Sequence, residues 1–247
     1  MSEGIGPKSL ALLASSAVLA ACGVVAPSGA SPDQPFTHVT CGGPPAFEAA
    51  VLDQGGTAER GDDAAAATLR AVLAETNGDI GDALPDTGWI EVTRTESRAK
   101  YLASGGEGPG FAIVTLAMRN GEWALDAPGR CELQPEVRAG LQLAMFRVAP
   151  GQELTPETRD VQVLVVELGC NSGEDARGRV RVDRILPGES SVTVVIGTVP
   201  REGSHDCQDN PETPFVLELP EPLGDRVLLD AYSIPPRDAT ECHPFAC

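Results

Sequence analysis

The chain has 247 residues, 18 basic and 36 acidic side chains, a formal charge of −18 and 42% hydrophobic residues. That length bounds it at one large or two small domains, and the composition is globular, not disordered. The acidity is even, 17 acids against 9 bases over 33–150 and 18 against 8 over 151–247, which excludes the basic footprint of a nucleic-acid binder or of a patch docking on anionic lipid. Aromatic residues are only 4%, so the core must be built mostly from Val, Leu, Ile and Ala. Lysine occurs only at Lys8 and Lys100, against 16 arginines, a compositional bias that carries no chemistry.

Residues 10–21 form an uncharged apolar run of 12 residues behind Lys8 and the amino group of Met1, with Glu3 departing from the usual positive start. A membrane-spanning helix needs about 20 apolar residues. The run therefore reads as the apolar stretch of a secretory signal over 1–21. It ends at Leu19-Ala20-Ala21-Cys22. This segment resembles the lipobox of bacterial lipoproteins, in which an aliphatic and two small residues precede the cysteine. The resemblance implies cleavage before Cys22 and a diacylglyceryl group on its thiol. Each buried CH₂ contributes about 0.8 kcal/mol, so two or more chains hold a protein on a bilayer. Residues 22–37, rich in Gly, Ala, Ser and Pro, read as a flexible tether.

Setting Cys22 aside leaves Cys41, Cys131, Cys170, Cys207, Cys242 and Cys247. An even remainder in an exported chain reads as three disulfides. Sequence alone allows 15 pairings; proximity to the inferred domains orders them as Cys41–Cys131 closing the first, Cys170–Cys207 within the second and Cys242–Cys247 as a terminal ring. The rival reading is zinc, with His38 near Cys41, His205 near Cys207 and His243 beside Cys242. The spacings of structural zinc sites are missing, and export favours disulfide over thiolate.

An α+β segment is expected over 38–138, with a helix on an antiparallel sheet. The helix falls at 62–76, capped by Asp62 or Asp63, with Leu69, Val72 and Leu73 on one face and Asn77-Gly78 as its stop. Residues 46–54 stay open between helical and extended. Period-two patterning then marks strands at 89–96, 99–103 and 111–119, and Asn120-Gly121 is a hairpin signal returning into 122–126. An all-β sandwich- or barrel-like domain is expected over 139–236, with strands at 141–148, 161–168, 180–186, 192–199, 215–219 and 226–230. Ten valines between 161 and 199 favour strand over helix, and Pro187-Gly188 and Leu223-Gly224 mark turns. Residues 200–214 form a polar loop holding Cys207, and 237–247 a tail closed by cysteines.

Gly169-Cys170, Val192-Thr193-Val194, the run Cys207 to Pro214, the run Glu221 to Arg226 and Leu228-Leu229-Asp230 together resemble a pattern in exported lipoproteins of high-GC actinobacteria. The resemblance covers about 160–230, and the helix, Trp89 strand and Trp123 hairpin are similar to the N-terminal part of the same proteins. It implies export and a Cys170–Cys207 bond. It implies no activity.

No nucleophile elbow, zinc-protease helix, P-loop or dinucleotide fingerprint occurs. Ser204-His205-Asp206 are contiguous, which does not make a triad, since triad members meet through the fold. Asp206, Asp209 and Glu212, and separately Asn77, Asp79 and Asp82, are oxygen-rich clusters weighed as calcium ligands and set aside for want of a known loop spacing. Arg177, Arg179 and Arg181 alternate and so read as sharing one strand face, a basic stripe with Arg184 nearby; it pairs with acids such as Glu167 or Glu218, with an anion or acidic-partner site as the alternative. Trp89 and Trp123 read as core, with sugar binding as the alternative. The expectation is a lipid-anchored module on the extracytoplasmic side of the cell membrane, binding an open protein or small-molecule partner. It carries no catalytic residue, metal, cofactor or nucleic acid. The alternatives are an envelope hydrolase without a recognisable motif and a calcium-stabilised structural component.

Overall fold

The computed structural model describes residues 36–75, 84–105 and 110–242. The protein is mostly β, with three sheets and one α-helix among these residues. In chain order the elements are β1 (His38–Cys41), β2 (Phe47–Glu48), 3-10 turns over Ala49–Gln54 and Ala58–Arg60, α1 (Ala64–Ala74), β3 (Ile90–Arg94), β4 (Arg98–Ser104), β5 (Phe111–Arg119) and β6 (Glu122–Cys131). They continue with β7 (Leu133–Pro135), β8 (Gln142–Val148), β9 (Asp160–Glu167), β10 (Val180–Pro187), β11 (Ser191–Thr198), β12 (Thr213–Glu218), β13 (Val227–Asp230) and β14 (Arg237–Asp238).

Asp63 starts α1. Its carboxylate accepts from the Ala66 amide at 2.9 Å, a bond that lowers the pKa of this exposed carboxyl, and the alanine run lets the helix propagate at little entropic cost. Asn77-Gly78, the expected stop, lies outside the described residues, as does the Asn77, Asp79 and Asp82 cluster. Residues 46–54 resolve into β2 and a 3-10 turn.

The antiparallel sheet β3-β4-β5-β6 is covered on both sides. Ala99, Tyr101 and Ala103 of β4, with Ala112, Val114 and Leu116 of β5, share one cluster with Ala65, Leu69 and Trp89. The alternating residues Leu102 and Ile113 join Phe36, Val39, Phe47 and Leu133, which belong to or border the small sheet β2-β1-β7. Double coverage explains why 99–103 are all buried, where a half-solvated strand would alternate. Asn120 at φ 53° and Gly121 at φ 85° make the turn between β5 and β6. Two successive left-handed residues suit the twist of a tight hairpin. Trp89 is fully buried, its indole donating to the Pro85 carbonyl at 2.7 Å; Trp123 is half-buried, with the Arg94 guanidinium over its ring.

The expected sandwich or barrel takes the form of one seven-stranded sheet that curls around its own core. Its order is β12-β9-β8-β11-β13-β14, with β10 on the other edge of β11. β11 is buried from Val192 through Thr198. Its first half pairs in parallel with β13, from Ser191↔Val227 to Val194↔Asp230, and its second half antiparallel with β8, from Ile196↔Ala144 to Thr198↔Gln142. β8 and β13 thus share one edge of β11 and part at Val195. The fork curls the sheet, and the Val148 amide reaches the Ala239 carbonyl at 2.7 Å. Inside the curl lie Phe146, Val161, Val163, Val165, Val194, Ile196, Leu217 and Leu228. Val195 faces the opposite way and, with Ala231 and Ile234, joins the cluster of Phe36, Val39 and Leu102. The segments 38–138 and 139–236 therefore meet in shared apolar packing, and both fall in the compact unit spanning Ser31–Cys247.

Cys41–Cys131 and Cys170–Cys207 are disulfides with Cα separations of 5.4 and 4.3 Å, the two pairs expected. Cys242 is also disulfide-bonded; Cys247, its expected partner, lies outside the described residues, as does Cys22.

Candidate ligand cleft

One open cleft is built from short segments far apart in sequence. Thr40 and Gln134 lie opposite each other in the β1–β7 register. Their neighbours Val39, Cys41 and Leu133 turn into the core, so period-two alternation aims Thr40 and Gln134 at the other face. The 43–46 loop, the 141–143 entry to β8, Leu168-Gly169 at the end of β9, and Tyr232 after β13 complete the walls of a cavity of about 590 Å³. Pro44, Ala46, Pro135, Val137, Leu141, Leu143 and Leu168 make the surface mainly apolar; Thr40, Gln134, Glu136, Gln142 and Tyr232 supply the polar groups. Leu168 is 42% exposed, an uncovered large apolar side chain at the wall.

Several contacts hold this wall. The Asn210 amide donates to the carbonyls of Glu167 at 2.8 Å and Gly169 at 2.7 Å, and Cys170–Cys207 ties the same loop to the end of β9. Behind it Glu167 is buried. Burial pushes its pKa up, but two Arg179 nitrogens at 2.7 and 2.6 Å, the Asn171 amide at 2.6 Å and the Thr198 hydroxyl at 3.2 Å outweigh that and leave it below the ordinary value. A Cβ on Gly169 would stand 2.5 Å from Gln142 Oε1, so the absence of a side chain at 169 lets the Gln142 amide lie flat against this wall. The Tyr232 hydroxyl has its pKa raised by burial and then by Glu132, against Arg237 and a hydrogen bond with Gln134. It is therefore a neutral donor and acceptor at ordinary pH.

The sites singled out in the sequence land elsewhere. The His205 ring bonds the Glu202 carbonyl at 3.0 Å on an exposed loop, and the His38 ring bonds the Thr37 hydroxyl at 3.2 Å. Both Glu212 oxygens are taken by Arg147, at 2.7 and 2.9 Å. Among the described residues no group of three or more His, Cys, Asp or Glu is placed to hold a metal ion. The arginine stripe does not exist as one face. β10 begins at Val180, so Arg177 and Arg179 precede the strand, and a bulge between Val182 and Arg184 breaks the alternation. Arg179 does pair with Glu167, as expected of a bridging acid, while Arg184 stacks on Phe36 and bonds Asp183. Trp89 is core and takes no part in the cleft.

Sequence reasoning missed Thr40, Gln134, Gln142, Leu168 and Tyr232 because none stands in a motif. The readable signal was indirect: Gly42-Gly43-Pro44-Pro45 is a strong turn, and Leu168 sits apolar beside Gly169-Cys170. Among the described residues no helix is long and apolar enough to cross a membrane. No family model, no curated protein and no solved structure matches this chain.

Proposed function

We propose that the protein is a lipid-anchored extracytoplasmic binding module, and that the cleft seats a neutral, partly apolar small molecule. The observation that carries the ligand reading is the cleft wall itself: apolar side chains interrupted mostly by amide and hydroxyl groups that fix orientation, with the Glu136 carboxylate beside them. The anchor rests on Leu19-Ala20-Ala21-Cys22 and the tether behind it, and the disulfides support an oxidising compartment. The helix-on-sheet region of 38–138 and the curled sheet of 139–236 are read as the two halves of the module, with the cleft drawing residues from both.

The test is a titration of residues 31–247 with Nile red, an uncharged dye that brightens in apolar surroundings. Saturable enhancement is expected. Gly169→Ala pushes the Gln142 amide into the cleft, and Leu168→Asp charges its wall. Each is expected to weaken dye binding about tenfold, on the order of 1.4 kcal/mol, with little change in melting temperature. Dye binding that fails to saturate, or that ignores both substitutions, contradicts the reading.

A further inference from the structure

A second cavity of about 310 Å³ lies under the 42–45 loop, on the face of the four-stranded sheet away from α1. Its floor is one row across three strands, because the register sets Thr93 beside Lys100 and Lys100 beside Thr115. Lys100 is only 7% exposed. Among the described residues its ammonium has no carboxylate within ion-pair distance; it donates to the carbonyls of Cys41 at 3.1 Å and Gly43 at 3.0 Å. An ammonium carries three N–H groups, so one is left over. Thr93 and Thr115 make no hydroxyl hydrogen bond to other described residues. Arg98 also lines the cavity. The one acid there, Asp126, is shared by Arg98 and Arg119, with the Arg119 bond at 2.9 Å. Two arginines thus hold that carboxylate, and among the described residues Lys100 has no acid of its own in a chain of net charge −18.

We propose that this cavity is a phosphate-type oxyanion site, in which Lys100, Thr93 and Thr115 each donate to one oxygen. Three donors spread over adjacent strands suit a tetrahedral group with three free oxygens, where a carboxylate offers two. Arg98 adds charge at the rim. Burial pushes the Lys100 pKa below the ordinary lysine value, and the Arg98 cation pushes it the same way. A bound anion relieves both. The site is separate from the cleft, although Pro44 borders the two cavities.

Only Lys8 and Lys100 are lysines, so residues 31–247 contain one lysine and isotope-labelled lysine gives a single side-chain NMR signal. Inorganic phosphate is expected to shift that signal saturably with a Kd of about 1 mM or tighter, while chloride at equal ionic strength and acetate leave it nearly in place. Thr93→Val and Thr115→Val, which spare the Lys100 brace on the loop, are each expected to weaken phosphate binding about fivefold. Lys100→Met is expected to abolish it, read by phosphate-dependent melting. A phosphate response no larger than that to chloride or acetate overturns the site. So does a saturable response that both valine variants leave unchanged.

Discussion

Replacing Cys41 and Cys131 together by serine is expected to cost this protein about 4–5 kcal/mol. The bond joins residues 90 apart, and the chain-entropy model gives about that figure for a loop of this length. It also ties β1 to the end of β6 beside fully buried Cys41, where serine would place an uncompensated hydroxyl. A typical domain is stable by only about 5–15 kcal/mol. The double variant should therefore unfold at a much lower urea midpoint, with little native signal near body temperature. Cys170 and Cys207 are 37 apart, closing a shorter loop at the surface. Their removal is expected to cost less globally and to loosen the 200–214 loop, with its Asn210 clamp on the cleft wall. A Cys41/Cys131 variant within about 1 kcal/mol of the wild type contradicts the view that this bond braces the fold.

The second large effect concerns Asp230, which sits at the fork where β8 and β13 part on the edge of β11. Its two carboxyl oxygens accept from the Phe146 amide at 3.2 Å and the Tyr232 amide at 3.1 Å. Burial dominates these bonds and the more distant Arg237, and pushes its pKa up from 3.8 to about 7. Arg237 is itself engaged by Glu132. The native state therefore holds this proton more tightly than the unfolded chain does. Stability falls as pH rises from the unfolded value near 4 to the native value near 7, then levels off. The whole shift corresponds to a loss on the order of 4 kcal/mol. Asp63, Asp126 and Glu167 are shifted the other way, so their contribution is lost on acidification below about pH 4. Denaturant unfolding between pH 5 and 8 should show the decline in the wild type and a nearly flat profile in Asp230→Asn. A flat wild-type profile, or an unchanged slope in the asparagine variant, contradicts this role.

Elements with a local signature were legible in the sequence. The alanine-rich helix behind Asp63, the strands on either side of Asn120-Gly121 and the valine-rich strands from 161 to 199 each carry their own periodicity or turn chemistry. What was not legible depends on partners distant in the chain. β1, β2 and β7 are two to four residues long, and β7 contains Pro135; they exist as strands because the register pairs them across the fold. The parallel pairing of β11 with β13, the fork at Val195 and the bulge that dissolves the arginine stripe are likewise tertiary choices. The cleft follows the same rule, because its walls come from short segments scattered along the chain and from no motif. Lys100 was read as part of a compositional bias, yet it is a buried cation on the floor of a cavity.

The proposal of a lipid anchor at Cys22 on a disulfide-braced protein is tested most directly by intact mass spectrometry of the full protein recovered from the membranes of its own cells, after alkylation without reductant. The expected species begins at Cys22, carries a diacylglyceryl group there, and shows no alkylation at Cys41, Cys131, Cys170, Cys207, Cys242 or Cys247. A chain that retains Met1, bears an unmodified Cys22 or takes up alkylating reagent at those six positions contradicts the account.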